Sequence, residues 1–180
     1  MRLLSDAAAK AWCETIGHTI VGEIPLLRLV HAREAAPVRR LWTPDESRAV
    51  VDLAFRLVMA HTPNDLPELF PGALFWLHRW EIGSEDIDGV GERLLAGTRG
   101  VTDARSDLHA YPAQAFDAGE CQAAHAALVV PMLFAWDAYY VPADGSYLLW
   151  VSHEGSLDLI PRDAAADAHL GQRTSPFVNL

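Results

Sequence analysis

Four residues apart, Cys121 and His125 share one face of any helix that carries them, and a thiolate beside an imidazole is an activated nucleophile. A sulfur-based hydrolase or transferase step is therefore the first chemistry to weigh. Catalytic thiols, however, favour a helix N-terminus, where the dipole lowers their pKa, and the alanine-rich helix read from Ala115 to Val130 places Cys121 several residues in. A small buried hydrophobe beside a partly exposed helical histidine is the plainer reading. Two isolated cysteines are also too few for a structural zinc site, which wants about four soft or imidazole ligands in local clusters.

A second constellation falls in the last third of the chain: Trp136, Asp137, Tyr139, Tyr140, Trp150, His153 and Glu154. Asp137 interrupts an apolar run, and a carboxylate in a strand is costly to bury unless it accepts hydrogen bonds or meets a cation. A backbone amide, an arginine, or His153 across the sheet would make it a structural clasp. In the alternative, Trp136, Asp137, Tyr139, Tyr140, His153 and Glu154 line a surface for a partner, since tyrosine and tryptophan are effective contact residues. His153 with Asp137 or Glu154 would also serve as a general-base pair, although no nucleophile or substrate is identified for it. The acids Glu81, Glu85, Asp86, Asp88 and Glu92 read as the solvated start of a helix or a patch facing a partner; their spacing does not match a calcium loop.

The chain lacks a phosphate-binding glycine loop, a His-Glu-x-x-His helix, a Gly-x-Ser-x-Gly elbow and a Cys-x-x-Cys pair, so no cofactor or metal is expected. Its 180 residues, 51% hydrophobic and 21% charged, suit a single domain over 1–180 with a looser tail over 171–180. The formal charge of -10 opposes binding to phosphate backbones and anionic lipid, which argues against nucleic acid and membrane. Residues 101–180 hold 3 basic and 10 acidic residues, so -7 of that charge lies in the part that also holds the aromatic constellation. With no signal-like start and no run of 18 apolar residues, a soluble cytoplasmic protein with reduced thiols is expected.

Elements that would position these residues can be read from periodicity. Ser5 to Ile16 reads as a helix stopped by Gly17, and Pro44 to His61 as a helix capped by Thr43 with Val50, Leu53, Ala54, Leu57 and Val58 on one face. His18 to His31, broken by Gly22 and Pro25, suits a short strand or edge segment, either joining the sheet or lying outside it. The apolar run from Leu66 to Trp80 reads as a core helix of two or three turns, and Ser84 to Gly97 as a further helix. Arg99 to Asp107 looks like a surface loop, and Ala115 to Val130 like a helix that stops before Pro131. Met132–Val141, Tyr147–Ser152 and Ser156–Ile160 alternate as strands joined by short turns at Pro142–Gly145 and His153–Gly155, and a short helix follows around Ala164 to Leu170. The fold class expected is α+β: about four helices packed on a small antiparallel sheet formed mainly by this C-terminal three-stranded meander.

A large negative charge without a catalytic motif points to a non-enzymatic protein-binding module, of an immunity-like or adaptor kind, that docks a basic partner through an acidic, aromatic-containing surface. The alternative is a small hydrolase or transferase using the Cys/His or His/Asp constellation. Self-association through an apolar patch near Trp76, Trp80 or Trp136 is compatible with either.

Overall fold

The structure is a computed structural model that describes residues 1–21, 28–30, 38–62, 66–80, 89–100 and 104–177. It is α+β, but the described residues form six helices and a seven-stranded antiparallel sheet, where about four helices on a three-stranded C-terminal sheet were expected. The strands of the large sheet are β1 (Arg2–Leu4), β4 (Arg39–Trp42), β5 (Ala73–Arg79), β6 (Ala113–Phe116), β7 (Asp137–Pro142), β8 (Tyr147–Val151) and β9 (Ser156–Pro161), in the order β1-β6-β5-β7-β8-β9-β4. Among the described residues the short strands β2 (Thr19–Val21) and β3 (Arg28–Val30) pair with each other in a separate two-stranded sheet, outside the large one.

The meander β7-β8-β9 occupies one half of the sheet and is extended on both sides by strands that the periodicity missed. β5 is the main correction, because Leu66–Trp80 was read as a core helix. Only Pro67–Leu69 makes a helical turn, of the 3-10 type, and Ala73–Arg79 is a strand flanked by β6 and β7. An apolar run buried on both faces carries no alternation to distinguish strand from helix. Leu74 and Trp76 face one core and Phe75 and Leu77 the other. Gly72 admits the chain to this strand at φ +106, where a Cβ would stand 2.7 Å from the Phe116 carbonyl oxygen. β6 is the second correction: Ala113–Phe116 lies buried between β1 and β5, so cross-strand pairing overrides the helix propensity of its alanines.

Helices cover both sides. α1 (Asp6–Thr15), capped by the Ser5 hydroxyl, seats Ala9 and Cys13 against Leu74, Ala115, Val141 and Leu148. Its Asp6 accepts the Trp76 indole N–H at 2.8 Å, which sets the register of helix on sheet. The opposite face carries the larger core. Here α2 (Ser47–Met59) and α5 (Cys121–Leu133) pack together, joined by residues of α3 (Val90–Arg99), α4 (Ala104–Ala110) and α6 (Ala164–Thr174).

Several boundaries move for physical reasons. α2 begins at Ser47 with Glu46 as its N-cap, so Thr43 and Pro44 lie outside the helix and are free to shape the surface before it. α5 begins at Cys121 and runs through Pro131 to Leu133, although the proline removes one intrahelical N–H donor near the helix end; Ala135 then turns the chain at φ +51. Arg99, read as a loop residue, ends α3 and is buried, donating to the Tyr111 and Pro112 carbonyls and to Gln114 Oε1; burial pushes its pKa down to about 10. Loop residues 101–103 and most of the acid run, Glu81 to Asp88, fall outside the described residues. In the tail, α6 continues to Thr174 and a 3-10 turn covers Ser175–Phe177.

Trp136 shows how tightly the larger core is closed. It is 1% exposed, and a Cβ added at Gly91 of α3 would stand 2.7 Å from its Cζ2 and 2.9 Å from the Phe134 ring. Overpacking of that kind forces side chains off their rotamers. Gly91→Ala is expected to cost about 1–3 kcal/mol, read as a lower urea midpoint at unchanged m-value.

Candidate functional site

Asp137 is the first residue of β7 and is 2% exposed. Strand alternation puts it on the face that carries Tyr139 and Val141, beside the end of β5 where the register shifts between Leu77 and Arg79. Its Oδ1 accepts two hydrogen bonds from one residue: the His153 backbone N–H at 2.7 Å and the His153 ring Nδ1–H at 2.8 Å. His153 lies in the turn between β8 and β9, so the carboxylate clamps a turn of a neighbouring hairpin to the start of its own strand. The turn is also closed from within: Ser152 N–H donates to Ser156 O, Gly155 N–H to Ser152 O and Glu154 N–H to the Ser152 hydroxyl.

The aromatic residues around this clamp are structural in their surroundings. Tyr139 is 6% exposed and stacks against Trp150 with ring centroids 4.5 Å apart; His78 packs on both rings, and burial lowers its pKa more than Asp137 raises it. Tyr140 faces the larger core, where its hydroxyl meets His61 Nε2 at 3.0 Å and its ring lies near Tyr147. Of the six residues expected to line a partner surface, Trp136, Asp137, Tyr139 and Tyr140 are buried, the His153 side chain is one-third exposed, and only Glu154 is fully at the surface. Trp76 and Trp136 are likewise buried, and Trp80 is half-buried against His109.

Glu154 lies in a surface cleft of about 620 Å³ that sequence reasoning did not find. The clamped turn places it there, because Gly155 O accepts the Thr43 N–H at 2.8 Å and Trp42 pairs with Ser156 in the β4–β9 ladder. Trp42, Thr43, Pro44, Asp45, Glu46 and Ala49 form the other wall. Trp42 is 58% exposed. Among the described residues the lining thus holds three carboxylates, Asp45, Glu46 and Glu154, beside an open indole, and no base. Arg40, one residue before Leu41 on the same strand, is held by Asp158 through both Nε and Nη2 at 2.7 and 2.8 Å. That pairing raises its pKa, with a smaller contribution from Glu154. Part of the acidity serves the fold, since Asp45 and Glu46 stand at the positive end of α2; Glu46, although the N-cap, makes no side-chain capping bond.

The Cys/His pair does not form. Cys121 is the first residue of α5 and not several residues into it as expected, but it is 2% exposed, its thiol contacts Met59 Sδ at 3.4 Å, and burial raises its pKa. His125 Nε2 meets the Val51 carbonyl at 3.0 Å and its ring stands edge-on to Phe55. Asp137 and His153 do converge, yet among the described residues no hydrogen bond of His153 involves a hydroxyl or thiol. Among those residues there is also no group of three or more His, Cys, Asp or Glu suited to a metal, and no helix long and apolar enough to cross a membrane. Compared with known proteins, the chain matches no family model, no curated protein and no solved structure.

Removing the clamp leaves the His153 N–H without its acceptor in a part-buried place. Asp137→Ala is expected to lower stability by about 2–3 kcal/mol in denaturant unfolding, and Asp137→Asn, which keeps one oxygen, by less. His61 generates a separate pH effect. Burial pushes its pKa down to about 4, against a partial opposing pull from Asp144, so between pH 4 and about 6.5 the unfolded chain binds the proton that the folded chain refuses. Stability contributed by neutral His61 is complete above the unfolded pKa and is lost as pH falls through this window, by up to about 3 kcal/mol. In His61→Asn that part of the pH dependence is expected to disappear from urea midpoints measured between pH 4 and 7.

Proposed function

We propose that this chain is a non-enzymatic protein-binding module of an immunity-like or adaptor kind, docking a basic partner at the Trp42 cleft. The observation that carries the reading is the cleft's composition: an exposed indole, three carboxylates and, among the described residues, no base in a concavity of about 620 Å³. A lysine or arginine side chain meets such a site in two ways, through attraction to the ring face and through the carboxylates at its rim. The net charge of -10 adds long-range steering toward a basic surface. The reading also gives the Asp137–His153 pair its place as a positioning clasp behind Glu154, in preference to a catalytic dyad. Cytoplasmic localisation goes with it, favoured by two free and buried thiols, Cys13 and Cys121.

The test uses a defined probe: an arginine- and lysine-containing peptide, titrated against the full chain at low and at high salt, with a peptide of the same length lacking basic residues as control. Binding is expected to weaken as salt rises. Trp42→Ala should weaken it by about 30-fold or more, as loss of a central anchor does, and Glu154→Gln combined with Asp45→Asn should flatten the salt dependence. Equal binding of the control peptide, or affinity that survives both sets of substitutions, would overturn the assignment.

A further inference from the structure

A second cleft, of about 410 Å³, lies where the end of α2, the turn between β7 and β8, and α6 meet. It is independent of the Trp42 cleft and shares no residue with it. His61, Thr62, Asp144, Ser146, His169 and Arg173 contribute to its walls, with Ala60, Ala166 and Leu170 supplying the apolar part. Three polar atoms of these residues, His61 Nδ1, Thr62 Oγ1 and Ser146 Oγ, are buried with no hydrogen-bond partner among the described residues. His61 is 8% exposed and Thr62 4%. Native folds leave few such atoms unsatisfied, and three around one cleft, drawn from two separate segments, are not explained by packing.

The surrounding structure has its own bonds in place. Ser146 N–H donates to Asp144 Oδ1, and Arg162 donates to the Asp144 carbonyl, so the turn is closed without the Ser146 hydroxyl. The His61 ring is oriented by Tyr140 OH on Nε2, and the Tyr147 hydroxyl donates to the Leu57 carbonyl, which leaves Nδ1 as the unused side of the imidazole. The unused groups are therefore two hydroxyls, each able to donate and accept, and an imidazole that burial keeps neutral. Asp144 and Arg173 bring one charge of each sign, so the walls favour neither an anion nor a cation. The volume falls in the range of about 300–1,000 Å³ typical of small-molecule sites.

We propose that this cleft binds a small uncharged polyhydroxyl molecule of monosaccharide size, whose hydroxyls complete the hydrogen bonding of His61, Thr62 and Ser146. The wild-type chain is titrated with glucose, ribose and myo-inositol, followed by ¹H–¹⁵N and histidine-ring NMR, with acetate and sulfate as charged controls. Saturable shifts centred on His61, Thr62 and Ser146 are expected with at least one polyol and with neither anion. Thr62→Val, close in shape but without the hydroxyl, should weaken that binding by about fivefold to tenfold while leaving Tm equal or higher, because the hydroxyl has no partner among the described residues. Ser146→Ala should behave alike. The proposal fails if no polyol shifts these resonances, if the anions bind there instead, or if Thr62→Val binds as wild type. A lowered Tm in Thr62→Val would also overturn it, by showing that the hydroxyl already serves the fold.

Discussion

A single buried carboxylate organises the part of this molecule that faces outward. Asp137 sits at the start of a strand, almost without solvent, and accepts both the backbone and the ring N–H of His153. A carboxylate in that position is tolerable only because its charge is met by close donors, and a donor pair from one residue fixes both the position and the direction of the turn that supplies it. The consequences run outward along the chain. His153 brings Glu154 to the surface, Gly155 holds Thr43, and the β4–β9 ladder sets Trp42 beside them. An internal electrostatic requirement thereby becomes the geometry of an external acidic cleft.

The sheet makes this arrangement rigid. Because helices cover both of its faces, the central strands are apolar on both sides, and the buried Gln114, Asp137 and Arg99 each meet specific partners. Edge positions carry the opposite chemistry. β4 lies at one edge with Arg39 paired to Asp167 and Arg40 to Asp158, and its last residue, Trp42, is left largely in solvent. With Arg39 and Arg40 held by acids, the three cleft carboxylates give that edge its local excess of negative charge.

Legibility in the sequence followed the physics of each element. α1 and the apolar face of α2 were readable because one side of each is less buried than the other, so a period survives; the three strands of the meander, although β7 is buried along its whole length, were readable from the short turns that join them. β5 and β6 were not: β5 is a continuous apolar run between two strands, β6 an alanine-containing tetrapeptide, and their pairing partners are distant in sequence. Asp137 and His153 stood out as an interrupted apolar run and a turn histidine, and their convergence followed from hairpin register. The Trp42 cleft had no such signal. Its two walls come from residues 42–49 and 154–155, joined only by the β4–β9 pairing, and β4 itself is too short and too charged to read as a strand.

Hydrogen exchange at the His153 amide addresses the central claim most directly, because that one proton reports whether the carboxylate holds the turn. If Asp137 anchors it, the His153 amide in the intact chain exchanges far more slowly than the amide of Glu154, which bonds only to the adjacent Ser152 hydroxyl, and Asp137→Asn speeds His153 while shifting the Trp42 indole resonance. A His153 amide that exchanges as fast as that of Glu154, or a Trp42 resonance indifferent to the substitution, would contradict the account.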